Sequence, residues 1–251
     1  MMSLSEQELL QEINTPLPAY YRLQEALRRK IEDGLWKPGE AIPSERLIAE
    51  EYRISIGTVK KAVGNLAGEG YLHRVQGKGT FVGGSTLKRG SLRYYRMVRE
   101  FNDEVADLEV KLLGIREVPG FDPANRYLGI PGSARLFELT RLFLSGGAPV
   151  VYSISYLPKK LFKDLDRMPA GRLEKSTLYE TIEQNYGLPT IRNHELYGAA
   201  PADARTAGLL KIAEGEPLLT IEMLSFTYKS VPYEYRRSYC VTSGYKIFTE
   251  I

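Results

Sequence analysis

Pro43-Ser44-Glu45-Arg46-Leu47, Ser55-Ile56-Gly57-Thr58-Val59-Lys60-Lys61-Ala62 and Gln76-Gly77-Lys78-Gly79-Thr80-Phe81-Val82 follow one another in a single short region of the chain. The first two pieces read as the starts of short helices and the third as a glycine-punctuated hairpin carrying cations. Helix, turn, helix and basic hairpin together predict a winged helix-turn-helix, a shape that presents one helix to a DNA major groove.

The elements on either side agree. Between Ala19 and Asp33 the apolar residues Leu23, Leu27 and Ile31 recur every four positions, an amphipathic helix stopped by Gly34. Ser44 is a suitable N-cap, with Glu45 placed against the helix dipole and Leu47, Ile48 and Tyr52 expected on the buried side. Ser55 caps the next helix, which turns Val59, Ala62, Val63 and Leu66 inward and leaves Thr58, Lys60, Lys61 and Asn65 largely outside until Gly70 ends it. Lysines suit phosphates and guanine edges, and Thr and Asn suit bases or phosphate oxygens. Taken in isolation, Lys60 and Lys61 read as a solvated helix face. Arg74 and Lys78 on the following hairpin favour the DNA reading, because glycines there allow close backbone approach to another polymer.

Composition bounds the rest. The 251 residues, 43% hydrophobic and 26% charged, suffice for two ordinary globular domains. A formal charge of +3 identifies no nucleic-acid binder by itself, so the placement of the cations decides. One cysteine, Cys240, cannot form an internal disulfide, and with two histidines, His73 and His194, a Cys/His metal site is not expected. No run approaches the ~18 apolar residues of a membrane span. The first fifteen residues include Glu6, Glu8 and Glu12 and do not read as a signal peptide, so a cytoplasmic protein without cofactor or metal is expected.

The N-terminal pattern resembles the DNA-binding domain of the GntR family of bacterial transcription regulators from about Pro18 to Val82. The resemblance implies that Ser44, Glu45, Arg46, Ser55, Thr58, Lys60, Lys61, Arg74, Gln76, Gly77, Lys78 and Gly79 form the DNA face, with the Gly77 to Gly79 tip directed to the minor groove. Ile56 stands where many members carry Arg, and Lys60 replaces the usual Arg. Lysine lacks the bidentate fork of arginine.

Gly83-Gly84-Ser85-Thr86 reads as a flexible joint, followed by Lys88, Arg89, Arg93, Arg96 and Arg99 with Tyr94 and Tyr95. These cations could meet phosphates or cover an interdomain surface. Beyond residue 105, strands are predicted at Val110 to Ile115, Arg135 to Leu144, Val150 to Leu157, Arg192 to Ala199, Leu218 to Tyr228 and Pro232 to Val241. Turns at Ser145 to Pro149 and Tyr228 to Pro232 share a turn-then-proline layout. Ser176 is expected to cap a helix with stripe Leu178, Ile182 and Tyr186, and Pro201 to open another through Leu210. Antiparallel strands with scattered helices make an α+β domain.

This second part resembles the UTRA effector-binding domain of HutC-type GntR regulators, a chorismate lyase-like fold. The landmarks are Leu139-Thr140-Arg141, Gly147-Ala148-Pro149-Val150, Ser155-Tyr156-Leu157-Pro158, Ser176-Thr177-Leu178-Tyr179, Tyr186-Gly187, Glu214-Gly215-Glu216-Pro217-Leu218-Leu219 and Pro232-Tyr233-Glu234. The implied organisation is a winged domain at 16–84, a linker at 85–104 and a UTRA domain at 105–249.

If Gly146 and Gly147 form a two-residue turn, Arg141 shares a face with Phe137, Leu139 and Phe143 and, across the hairpin, with Val150, Tyr152, Ile154 and Tyr156. An arginine there needs an anionic partner, either a ligand or a carboxylate such as Glu138 or Glu234. The resemblance places Arg141, Thr177, Tyr179 and Glu234 around an effector, with Ser153 and Ser155 nearby. One cation among aromatics suggests a ligand less charged than a sugar phosphate, and Cys240 reads as a packed small side chain. The function implied is a homodimeric repressor of a palindromic double-stranded DNA operator, released by a small anionic metabolite. A chorismate lyase-like enzyme tethered to DNA is the alternative, although neither histidine has an evident nucleophile partner and no catalytic residues are assigned.

Overall fold

The computed structural model describes residues 17–84 and 95–248. The linker residues Lys88, Arg89, Arg93 and Tyr94, the joint residues Ser85 and Thr86, and Glu6, Glu8 and Glu12 lie outside the described residues. The chain divides into two compact units, one within Met1–Lys88 and one within Arg89–Ile251.

In the first unit, α1 (Ala19–Glu32), α2 (Glu45–Tyr52) and α3 (Ile56–Gly68) precede a two-stranded wing, β1 (Leu72–Val75) and β2 (Gly79–Val82). Leu27, Ile31, Ile48, Val59, Ala62, Val63 and Leu66 close the core. Ser44 and Ser55 cap α2 and α3 as expected, accepting from the Leu47 and Thr58 N–H groups. Gly70, with positive φ, follows the end of α3. Leu47 departs from expectation. It is 56% exposed, because an eight-residue helix packed on α3 buries only the narrow stripe centred on Ile48.

The second unit is built on one six-stranded antiparallel sheet. Its strands are β4 (Glu109–Val118), β5 (Leu136–Ser145), β6 (Ala148–Pro158), β7 (Arg192–Pro201), β8 (Pro217–Phe226) and β9 (Pro232–Val241), in the order β4-β5-β6-β9-β8-β7. All six expected strands are present. Short β3 (Met97–Val98) pairs with β10 (Lys246–Ile247).

Helices cover both faces of the large sheet. On one face, α5 (Ala170–Lys175) and α6 (Leu178–Tyr186) bring Leu173, Leu178, Tyr179 and Ile182 onto Phe137, Leu139 and Leu157. On the other, α4 (Ala124–Tyr127) packs by Tyr156 and Tyr235, and α7 (Ala204–Leu210) by Leu142, Tyr152 and Val241.

Two helix starts differ from expectation. Thr177, not Ser176, caps α6, since Glu180 three residues on completes a capping box with it, while Ser176 Oγ donates to the Arg172 carbonyl. Asp203, not Pro201, caps α7, its carboxylate accepting from Thr206 N–H at 2.6 Å, and Pro201 ends β7.

The β5–β6 hairpin settles the face of Arg141. Gly146 and Gly147 form the two-residue turn with φ of 56° and 79°, conformations natural to glycine. A register shift follows between Phe143 and Leu144, so Phe143 faces Val151 and Arg141 faces Ser153. One extra residue in β6 exchanges the two faces beyond it. Tyr152, Ile154 and Tyr156 therefore lie on the face opposite Arg141, contrary to the simple count, and Val151, Ser153, Ser155 and Leu157 lie on its own.

Candidate nucleic-acid interface and effector site

On the winged unit, Arg46 stands in the first turn of α2, paired with Glu50 one turn on at 3.1 Å. Glu45 is turned to the wing, where its carboxylate accepts from Arg74 at 2.7 Å. These two acids hold two of the expected DNA-facing arginines in place, in pairs open to solvent and exchangeable for phosphate. Ser44 and Ser55 act as caps, and Thr58 Oγ1 lies 2.8 Å from Ser55 Oγ, so these hydroxyls are engaged within the helix ends. Lys60 is exposed, whereas the Lys61 ammonium sits 3.7 Å from the centre of the Tyr20 ring. Gln76, Gly77, Lys78 and Gly79 form the exposed wing tip, with positive φ at both glycines.

On the second unit, the face beneath α5 and α6 carries a polar seam between two apolar clusters. Phe137, Leu139, Leu157 and Met223 lie to one side, and Phe143, Val151, Ile221 and Cys240 to the other. Between them the register sets Arg141 beside Ser153, Ser153 beside Ser238, and Ser155 beside Arg236. Arg141 and Arg236 are each only 1% exposed. Ser153 is fully buried, and its hydroxyl has no hydrogen-bond partner among the described residues.

Arg236 is the residue that reading the sequence missed. Its Nε lies 2.8 Å and its Nη2 2.7 Å from Glu234 Oε1, and Nε also reaches Ser155 Oγ at 3.2 Å. Ser225 donates to the other Glu234 oxygen at 3.3 Å. Glu234 thus anchors Arg236, while Glu138 takes Arg116 on the opposite face. The expectation of a single buried cation is corrected to two. The same period of two that placed Arg141 could have found Arg236, two residues after Glu234 on one strand.

Tyr179 lies over this seam from α6. Its ring faces the Arg236 guanidinium at 5.5 Å, and its hydroxyl approaches Ser225 at 3.3 Å and accepts from Asn193 Nδ2 at 3.0 Å. Thr177 is only half-buried and committed to its capping box. Tyr95, within the segment expected to be the linker, reaches the seam as well, with its hydroxyl 2.6 Å from Ser238 Oγ. Burial pushes this phenol above the usual tyrosine range, against the lowering influence of Arg236. Cys240, buried in the neighbouring cluster, has its thiol pushed up to about 12 by burial and is no nucleophile at neutral pH.

A wing with an exposed basic helix and a sheet with a buried arginine seam are the two halves of a ligand-sensing DNA-binding regulator. The chain belongs to the GntR regulators that carry a UTRA domain: residues 19–82 match the profile described as bacterial regulatory proteins, gntR family, and residues 104–246 match the UTRA domain. It is similar to the HTH-type transcriptional repressor NagR of Bacillus subtilis, 26% identical over 224 residues that cover 89% of this chain and 90% of that one. It is also similar to the probable fructoselysine utilization operon transcriptional repressor of Escherichia coli, 25% identical over 221 residues, covering 88% and 89%. The ligand-binding domain of a GntR-family regulator from Bordetella bronchiseptica superposes with a TM-score of 0.58 at 25% identity, covering 63% of this chain and 98% of that domain. The chain is a transcription regulator and not an enzyme, and the tethered-enzyme alternative finds no support among these relatives. Among the described residues no helix is long and apolar enough to cross a membrane.

Proposed function

We propose that the chain is a repressor that binds a two-fold symmetric operator as a homodimer and leaves it when a small anionic metabolite occupies the seam around Arg141 and Arg236. The winged domain at 16–84 reads DNA, the segment 85–104 links, and the domain at 105–249 senses the effector. The observation that carries this reading is the pair of arginines sealed on one face of the sheet beside Ser153. Desolvating a guanidinium is costly, and two on one buried face make a setting that favours anionic groups. Glu234 anchors Arg236, and the anionic group of a small ligand suits a face that carries two guanidinium groups.

In this reading Arg141 and Arg236 take the anionic group, Ser153 and Ser155 donate to its oxygens, and Tyr179 closes over the ligand. Glu234 orients Arg236. Two buried cations favour a more highly charged ligand than one would. The repressor names of the two relatives, one tied to a sugar–amino acid conjugate, support a metabolite-released repressor built on this plan. Effector binding and operator binding are then coupled through the dimer geometry, each weakening the other by the same factor.

A thermal-shift screen of the full chain against sugar phosphates, sugar acids and amino acid conjugates tests the seam. A true effector raises the melting temperature of the wild type with concentration and fails to do so for Arg141→Met. If every stabilising compound acts equally on Arg141→Met, the assigned site is wrong.

A further inference from the structure

We infer that Ile56 reads DNA by packing on the C5-methyl of a thymine in the major groove. The inference rests on the DNA-binding role of the winged unit and assigns part of its sequence specificity to a residue with no hydrogen-bonding group.

Ile56 is the first residue of α3 and is 48% exposed. It does not belong to the core, which Ile48, Val59, Ala62, Val63 and Leu66 close completely. In a helix-turn-helix, the N-terminal residues of this second helix reach base edges. The other side chains of that turn have little left to offer: the Ser55 and Thr58 hydroxyls lie 2.8 Å apart, Ser55 Oγ also accepts the Thr58 N–H at 3.2 Å, and Gly57 has no side chain. Ile56 is therefore the outward side chain of the first turn, and exposed Lys60, four residues on, lies on the same side of the helix.

The floor of the major groove offers one methyl group, that of thymine; the amino, keto and N7 groups beside it are donors or acceptors. A β-branched side chain is stiff at χ1, so the isoleucine Cγ2 methyl is held in place and the side chain loses little freedom on contact. Set against guanine, adenine or cytosine edges, the same side chain would cover polar atoms and leave them unsatisfied, which is a penalty rather than a neutral loss. Preference for thymine thus follows from both attraction and exclusion. Arginine at this position would reverse the preference toward guanine O6 and N7.

The experiment begins with selection of bound duplexes from a random library by the full chain. Each thymine of the selected duplex is then replaced in turn by deoxyuridine, which removes only the methyl, and affinity is read by fluorescence anisotropy. At one or more thymines the wild type should lose about 4-fold in affinity, the worth of one buried methyl. Ile56→Ala should bind the thymine and deoxyuridine duplexes alike at those positions, and Ile56→Arg should select guanine there. Absence of any methyl-sensitive position, or sensitivity that persists in Ile56→Ala, overturns the inference while leaving DNA binding intact. Failure to select any duplex overturns the DNA-binding reading itself, and this inference with it.

Discussion

The Arg46 side chain is 84% exposed at the start of α2, while Arg141 and Arg236 are each 1% exposed on the UTRA sheet. Arg46 shares its charge with Glu50 in water, where such a pair is worth about 0–1 kcal/mol and can be surrendered to a phosphate at little loss. Arg236 is held by a buried carboxylate with two contacts under 3 Å, and separating that pair would strand a charge in the core. The difference matches the two ligands proposed for these regions. A polyanion is met by many loosely held cations whose gain comes from released counterions, whereas one small molecule must be met by a few groups already stripped of water and fixed in place.

The contrast breaks first at Glu234. Glu234→Ala should lower stability by about 3–5 kcal/mol in urea unfolding, because the Arg236 charge stays buried after its anchor is removed. Glu234→Ala combined with Arg236→Met should recover much of that loss. A single variant as stable as the wild type would mean that the seam is not a desolvated site.

On the exposed side, Arg46→Ala and Lys60→Ala should leave the fold and the sedimentation coefficient unchanged while weakening DNA binding. Each should reduce the slope of log affinity against log salt by about 1. Unchanged slopes in both would remove these residues from the DNA face.

A smaller effect belongs to α7. Asp203→Ala should cost about 1 kcal/mol through the lost N-cap. The Thr206 N–H holds the Asp203 carboxyl below its ordinary range, so its contribution is present above the unfolded carboxylate pKa and is lost as pH falls through the lower folded value. Unfolding of wild type and variant compared at pH 7 and pH 3 should show the gap closing at the acid end. Smallest of all, Cys240 should resist iodoacetamide at pH 7.5 until denaturant is added, since burial keeps its thiol protonated.

How much of this could be read in advance depended on the range of the interactions. Caps at Ser44 and Ser55, the glycine turns and all six strands are local patterns, and they stand where the residues place them. The cross-strand neighbours of Arg141 were lost to a single bulge in β6, between the partners of Leu144 and Phe143, because register is a sum over the whole hairpin and one residue inverts it. Ser176 and Thr177 are adjacent hydroxyls, and only the Glu three residues beyond Thr177 decides between them. Tyr95 and Ser238 meet across most of the second unit, a contact that no spacing announces. Arg236 was legible but hidden in the run Tyr233-Glu234-Tyr235-Arg236-Arg237, where alternation sends one arginine inward and its neighbour to solvent.

Anisotropy of the full chain on its selected duplex, with and without the effector found by thermal shift, tests the coupling of the two regions most directly in wild type and Arg141→Met. Equal DNA affinity of the two proteins without effector, and release by effector in the wild type alone, is the predicted result. Release of Arg141→Met at the same effector concentration as the wild type would contradict it.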